Sequence, residues 1–339
     1  MINYFKLQQR IAPELIEVIE ERYAILRTVY HSQPIGRRSL AQILSLSERT
    51  VRNHLSFFKD TNLIISTNSG VKITNSGKEM LKSLDSYIKK LRGTSYLEDR
   101  LEKLMGLDVY VVPDMVNNNQ SESELGRFAA DFLKDSIFDQ EIIAVTGGTT
   151  LSLMVEMMTS SKEDMGITVI PARGGLGEKV EIQANTIAAK IAKKLNGKYH
   201  LLHIHDNLKE EIISKLVNEP SIKKVLNLVR EADVLIHGIG IAETMAKRRE
   251  LPTVEIEKIK NKGAVGESFG YYFNQAGEIV YSTASIGLEL SDLAKIKKVI
   301  AVAGGKKKAK AILAVVSKLY QDVLIVDEEA AREILKLIN

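Results

Sequence analysis

The sequence predicts an α/β protein in two parts, an N-terminal winged helix-turn-helix and a C-terminal doubly wound, largely parallel sheet. Three observations predict it. Two short amphipathic helices follow one another closely around residue 46 and lead into a hairpin. Further on, β-rich apolar runs alternate with helical stretches, and many of those runs empty into glycines. The 339 residues leave room for about two domains at roughly 150 residues each. The boundary is placed between 1–92 and 93–339.

In chain order, Leu15, Ile16, Ile19, Tyr23, Leu26 and Tyr30 recur at helical spacing with Glu17, Glu20 and Glu21 opposite, a pattern of one amphipathic helix. After Gln33-Pro34-Ile35-Gly36, short helices over Ser39 to Leu44 and Ser47 to Phe58 have helix-turn-helix spacing. Leu63 to Thr67 and Val71 to Thr74 flank Asn68-Ser69-Gly70, the signal of a hairpin that serves as a wing. Lys78 to Lys90 is helical again, and its Leu81, Leu84, Ile88 and Leu91 form a 3-4-3 seam. That seam suits either a short dimer interface or packing within its own domain. Gly93-Thr94 marks the linker, followed by a helix from Tyr96 to Leu104.

Strands are predicted at Val109 to Val112, Ile142 to Val145, Ile167 to Ile170, Tyr199 to Ile204, Val234 to Ile236, Val299 to Val302 and Val323 to Val326. Their alternation with helices implies a parallel sheet covered on both faces. Glycines follow at Gly147-Gly148, Gly174-Gly175, Gly238-Ile239-Gly240 and Gly304-Gly305. In open sheets of this kind ligands bind outside the carboxyl edge, near a topological switch point.

Charge separates the parts. Residues 1–100 hold 16 Lys and Arg against 10 Asp and Glu, and the remainder 31 against 33. A basic front joined to a near-neutral partner is the footprint of a nucleic-acid-binding module. Within it, Ser47 suits a helix cap, with Leu46 and Val51 as a hydrophobic staple. Burial of Val51, Leu55 and Phe58 turns Arg49, Thr50, Arg52 and Asn53 outward. Arginine pairs with guanine and asparagine with adenine in the major groove, whereas Arg37 and Arg38, before the preceding helix, are placed for phosphate.

In the larger part, Ile142 to Thr150 is a strand that runs into glycines and hydroxyls ahead of a helix from Leu151 to Met158. Amide groups at a helix start attract anions, the glycines Gly147 and Gly148 admit close approach, and Thr149 and Thr150 add donors. No Gly-Lys-Ser/Thr follows, so the motif is not an ATP-binding P-loop. Arg173 before Gly174, together with Arg248 and Arg249, offers further anion anchors, and Gln183, Asn185 and Glu267 suit sugar hydroxyls. Among Lys306, Lys307, Lys308 and Lys310, at another helix start, one is expected to meet ligand.

Other chemistries are excluded. The chain has no cysteine, which removes disulfides and thiolate ligands. No apolar window reaches the 18 residues of a membrane span. The start lacks the pattern of an export signal, so a cytoplasmic location is expected. Glu243 stands where a dinucleotide fingerprint needs its third glycine. His203 and His205 share a strand face without a third ligand, so neither a metal nor a cofactor is expected.

Several stretches together resemble the SorC family of sugar-responsive bacterial transcriptional regulators, over nearly the whole chain. They are Pro34-Ile35-Gly36-Arg37-Arg38-Ser39-Leu40, Val145 to Thr150, Pro171 to Glu178, Gln183 to Ile187 and Val265 to Asn274. The resemblance implies a tetrameric repressor of a glycolytic operon, that of glyceraldehyde-3-phosphate dehydrogenase, which binds operator DNA and is relieved by fructose 1,6-bisphosphate. It implies Gly148, Thr149, Thr150 and Lys308 around one phosphate, Arg173 and Arg248 at the second, and Gln183 and Glu267 nearby. The larger part also resembles sugar-phosphate isomerase and deaminase domains, so an enzyme is the alternative. Such deaminases continue their glycine turn into Asp-Gly-His. Here Ile241-Ala242-Glu243 follows instead, which leaves Glu243 or Glu267 as the candidate base.

Overall fold

The structure is a computed structural model, and it describes residues 4–114, 121–175, 179–204, 210–283 and 286–338. These residues divide into two compact units, one running to Tyr96 and one from Leu97. None of the described helices is long and apolar enough to cross a membrane.

The first unit contains α1 (Tyr4–Ile11), α2 (Pro13–Ser32), α3 (Arg37–Leu44), α4 (Glu48–Asp60), β1 (Ile64–Thr67), β2 (Gly70–Ile73) and α5 (Asn75–Arg92). Pro13 opens α2 at a position where its missing N–H costs nothing, and the helix buries Ile16, Tyr23, Ile25, Leu26 and Val29. The strands form an antiparallel hairpin with Ile64 opposite Ile73, and Ile35 joins it through a bridge to Val71. Thr74 caps α5 by accepting the Gly77 N–H. Of the two uses open to the α5 seam, packing within the unit holds. Leu81, Ile88 and Leu91 are buried there, and Tyr23 and Glu20 of α2 bind Asp85 and Arg92 at 2.5 and 2.7 Å.

The second unit takes α6 (Thr94–Met105) from Leu97 onward, then runs β3 (Asp108–Val112), α7 (Ser121–Ser136), β4 (Ile142–Val145), α8 (Thr149–Met157), β5 (Thr168–Pro171), α9 (Ala184–Lys194), β6 (Lys198–Tyr199), α10 (Glu210–Leu216) and α11 (Pro220–Arg230). It continues with β7 (Val234–Gly238), β8 (Gly240–Ile241), α12 (Ala242–Arg248), α13 (Thr253–Asn261), β9 (Ala264–Ser268), β10 (Tyr271–Asn274), β11 (Ile279–Ser282), β12 (Lys298–Ala303), α14 (Ala309–Val316), β13 (Val323–Asp327) and α15 (Glu328–Ile338).

Seven strands make a parallel sheet in the order β3-β13-β12-β7-β4-β5-β6. Alternate residues of one strand enter different cores: Val299 and Ala301 pack on one face with Ile312 and Val315 of α14, and Ile300 and Val302 on the other with Met154 of α8. This two-sided burial is why the strands read as continuous apolar runs. The chain leaves β4 for β5 on one side and returns on the other for β7, so the switch point lies between the carboxyl ends of β4 and β7.

Two features depart from the sequence reading. The strand predicted to Ile204 ends at Tyr199, because Asn185 claims the following backbone. Its amide donates to the Leu202 carbonyl and accepts the Leu202 N–H, both at 3.0 Å. Second, β8 to β11 form an antiparallel sheet of their own, with α12 and α13 around Ala242, Ala246, Leu251, Ile259 and Tyr272. His205, Leu176, Gly177 and Glu178 lie outside the described residues. Among the described residues no group of His, Asp and Glu gathers to hold a metal.

Candidate effector cavity and DNA-reading helix

On α4, Ser47 Oγ accepts the Thr50 N–H at 3.0 Å and lies 2.8 Å from Thr50 Oγ1, so the predicted cap forms. Arg49, Arg52 and Asn53 are exposed and Thr50 is half-exposed. The buried stripe is Val51, His54 and Phe58. Leu55, expected in that stripe, is only half-buried, and His54 takes its place because a polar partner waits on α2. Its Nε2 lies 2.8 Å from Glu21 Oε2, and its Nδ1 accepts from Arg22 Nε at 3.4 Å. Arg22 also stacks over the Phe57 ring at 3.6 Å. Arg37 and Arg38 both reach Glu48, at 3.3 and 3.7 Å. Exposed pairs of this kind contribute little, so a phosphate can replace Glu48 at small cost.

In the second unit one cavity opens at the switch point. Thr146 to Leu151 line it after β4, Arg173 and Gly174 after β5, and Gly238 to Ile241 after β7. Ile182 to Ala184, Thr244, Met245, Arg248, Arg249, Glu267, Phe269 and Lys308 complete the wall. The predicted ligand residues Gly147, Gly148, Thr149, Thr150, Arg173, Gly174, Gln183, Arg248, Glu267 and Lys308 are thus brought together. Asn185 is not in the lining, since its amide is committed to Leu202.

The floor is the start of α8. A Cβ on Gly147 would stand 2.7 Å from the Ile182 carbonyl oxygen, so only glycine fits. Gly148 precedes the helix at φ 127°, a conformation that favours glycine. Its N–H is spent on the Ile182 carbonyl at 2.8 Å. The amides of Thr149, Thr150 and Leu151 open the helix, where no intrahelical acceptor exists. These three residues line the cavity at the positive end of the helix dipole.

Lys308 enters from a 3-10 turn after β12, and its Nζ lies 3.4 Å from Thr150 Oγ1. Burial pushes its pKa below the usual lysine value and nearby Arg248 adds to the fall, while Glu122 and Asp327 oppose it. Lys306, Lys307 and Lys310 are exposed. The Gly305 N–H donates to Asp327 Oδ2 at 2.6 Å, which fixes the turn ahead of Lys308. Arg173 is 7% exposed. Arg249 donates to Glu267 Oε1 at 2.8 Å, with side chains 6% and 4% exposed. The Gly270 N–H reaches the same oxygen at 2.6 Å.

Four cations, Arg173, Arg248, Arg249 and Lys308, therefore face one carboxylate, Glu267, in the lining. An anion with hydroxyl groups fits this chemistry. Acid–base catalysis does not: Glu267 is held by Arg249, and Glu243 binds Lys247 at 2.7 Å outside the lining. Sequence reasoning missed Thr146, Thr244 and Phe269. Phe269 and Gly270, at φ 53° and 75°, form the tight turn between β9 and β10. The glycine just ahead of the aromatic run Tyr271-Tyr272-Phe273 was the available signal for that hairpin.

Comparison with known proteins places these features in context. Residues 18–88 match the CggR N-terminal DNA binding domain, and residues 89–336 match the sugar-binding domain family. The central glycolytic genes regulator of Priestia megaterium is 43% identical over 342 residues, covering 100% of both chains. That of Bacillus subtilis is 40% identical, covering 99% of both. Among solved structures, a SorC family transcriptional regulator from Enterococcus faecalis is 40% identical with a TM-score of 0.66, covering 71% of this chain and 99% of that one. The full-length sorbitol operon regulator SorC from Klebsiella pneumoniae, at 18% identity and a TM-score of 0.67, covers 91% of this chain and 96% of that one. That second likeness is one of fold.

Proposed function

Because the chain belongs to the SorC family of sugar-responsive transcriptional regulators, we propose that it represses the glyceraldehyde-3-phosphate dehydrogenase operon of glycolysis until fructose 1,6-bisphosphate fills the cavity. The chain is a sugar-responsive repressor with a DNA-binding and a sugar-binding domain, and it is not an enzyme.

The observation that carries the choice of effector is the set of four cations against one carboxylate at the start of α8. In this reading one phosphate rests on the Gly147 to Thr150 turn, with Lys308 as counter-charge. The second is received by Arg173, beside Gly174, and by Arg248. Gln183 and Glu267 meet sugar hydroxyls. Two phosphates match the charge better than one.

These anchors sit on the ends of separate strands, so a bisphosphate draws their loops together. The protein works in the cytoplasm as a tetramer built of dimers, and the ligand changes how subunits meet on the operator. The sugar weakens DNA binding only by favouring an arrangement that binds DNA poorly, and DNA must weaken sugar binding by the same factor.

The test is fluorescence anisotropy on the protein's own promoter DNA, titrated separately with fructose 1,6-bisphosphate, fructose 6-phosphate and dihydroxyacetone phosphate. Release by the bisphosphate alone supports the reading. Intact DNA binding with no response to any of the three overturns the effector.

A further inference from the structure

The small antiparallel sheet lines up four residues in one transverse row. Gly240 of β8 is opposite Glu267 of β9, Glu267 is opposite Tyr272 of β10, and Tyr272 is opposite Tyr281 of β11. Directly opposed residues of an antiparallel pair share a face, with Cβ atoms about 4.5–5.5 Å apart. Glu267 and Tyr272 are therefore side-chain neighbours. The row begins in the cavity, which Gly240 and Glu267 line, and ends at α13, where the Tyr281 hydroxyl donates to Glu255 Oε2 at 2.6 Å.

Tyr272 is the anomaly in this row. It is 0% exposed, and its hydroxyl has no hydrogen-bond partner among the described residues. A buried hydroxyl in that condition costs free energy that phenylalanine would avoid. Its surroundings are charged. Burial raises its pKa first, Glu267 raises it further, and Arg249 and Arg173 act against them. The hydroxyl thus stands in the field of the cavity's own ion pair.

That pair has a weakness that a phosphorylated ligand exposes. Phosphate competes with Glu267 for Arg249 through charge-assisted, bidentate hydrogen bonds. Once Arg249 turns to the ligand, a carboxylate 4% exposed loses the guanidinium bonded to it, and within the protein its bonded donor is then the Gly270 N–H. Buried charges left so are strongly destabilising. The neighbouring donor in the row is Tyr272, which has nothing to give up.

We propose that Tyr272 is a positioning residue of the effector cavity, whose hydroxyl donates to the Glu267 carboxylate when a phosphorylated ligand draws Arg249 away. This rests on the reading of the cavity as an anion site. It accounts for a tyrosine where the ligand-free structure needs only a phenylalanine.

The experiment uses the full chain as wild type, Tyr272→Phe, Arg249→Met and the double variant. In calorimetric titration with fructose 1,6-bisphosphate, Tyr272→Phe lowers affinity roughly tenfold, while operator affinity stays at the wild-type value and the ligand-free Tm equals or exceeds it, since the unpartnered hydroxyl is gone. A purely structural tyrosine would lower Tm and leave affinity alone. Without any ligand, Arg249→Met already releases Glu267, so adding Tyr272→Phe to it lowers Tm by about 2 °C. Wild-type affinity in Tyr272→Phe overturns the proposal, as does an unchanged Tm in the double variant. If the wild type binds neither the bisphosphate nor inorganic phosphate, the anion reading is what fails, and the ligand-free pair of variants judges Tyr272 alone. If Arg249→Met does not fold, the titration judges it.

Discussion

Lys308 Nζ lies 3.4 Å from Thr150 Oγ1 across 158 residues of sequence, and this contact joins the turns after β12 and β4 over the end of β7, the strand between them. A cation and a helix start meet where neither has a partner of opposite charge within the contact. Burial disfavours the charged amine here and lowers the lysine's pKa, with Glu122 and Asp327 acting against that fall.

Replacing Lys308 with methionine keeps the stem's packing and removes the charge. Losing a hydrogen bond to a charged group costs about 1.5–3 kcal/mol, or roughly 10- to 150-fold in effector affinity. Operator affinity without effector should be unchanged. Lys307→Met is the control, since Lys307 is exposed, and equal losses in both variants would refute the assignment to Lys308.

The pH dependence follows from the same residue. The ligand is an anion and binds the protonated amine, so affinity is full below the Lys308 pKa and falls as pH rises through it. Because that pKa is lowered, the alkaline fall begins at lower pH than an exposed lysine would give. Phosphate monoesters lose charge below about pH 6, which sets an acid limb. Lys308→Arg stays charged, so its titration curves should keep the acid limb and lose the alkaline one.

Arg173→Ala should leave operator affinity intact and abolish release by the bisphosphate. Normal release by this variant, measured by anisotropy, would remove Arg173 from the site.

On the DNA side, Arg49→Ala should cost about 1–3 kcal/mol on the operator and much less on scrambled DNA, as expected for a base contact. Arg37→Ala should weaken both and reduce the salt slope by about 1. Salt titrations on both duplexes check the two roles, and a uniform loss for Arg49 would make it a phosphate contact.

His237 predicts an acid transition. Burial lowers its pKa from 6.5 to about 4, while the unfolded chain protonates normally. Between those values the unfolded state binds more protons, so stability falls as pH drops from 6.5 toward 4, by roughly 3 kcal/mol in total. Above pH 6.5 this contribution is constant. Urea midpoints at pH 4.5 and 7 should converge in His237→Gln.

The sequence by itself determined the elements whose signal is local. The apolar runs of β4, β12 and β13, the Ser47 cap and the glycines after β4 each follow from residues within one turn or strand. Together with the sheet rule for ligand crevices they located the cavity. The tertiary structure decided what depends on partners far away in sequence. Asn185 left the site because Leu202 claims its amide, β6 stopped at Tyr199, and His54 became core because Glu21 and Arg22 face it. The same holds for the row Gly240, Glu267, Tyr272 and Tyr281, which exists only through the pairing of four short strands. Periodicity reports which face of an element is apolar, but a polar side chain's role is set by the donor or acceptor it meets, and that meeting happens only when distant segments close on one another.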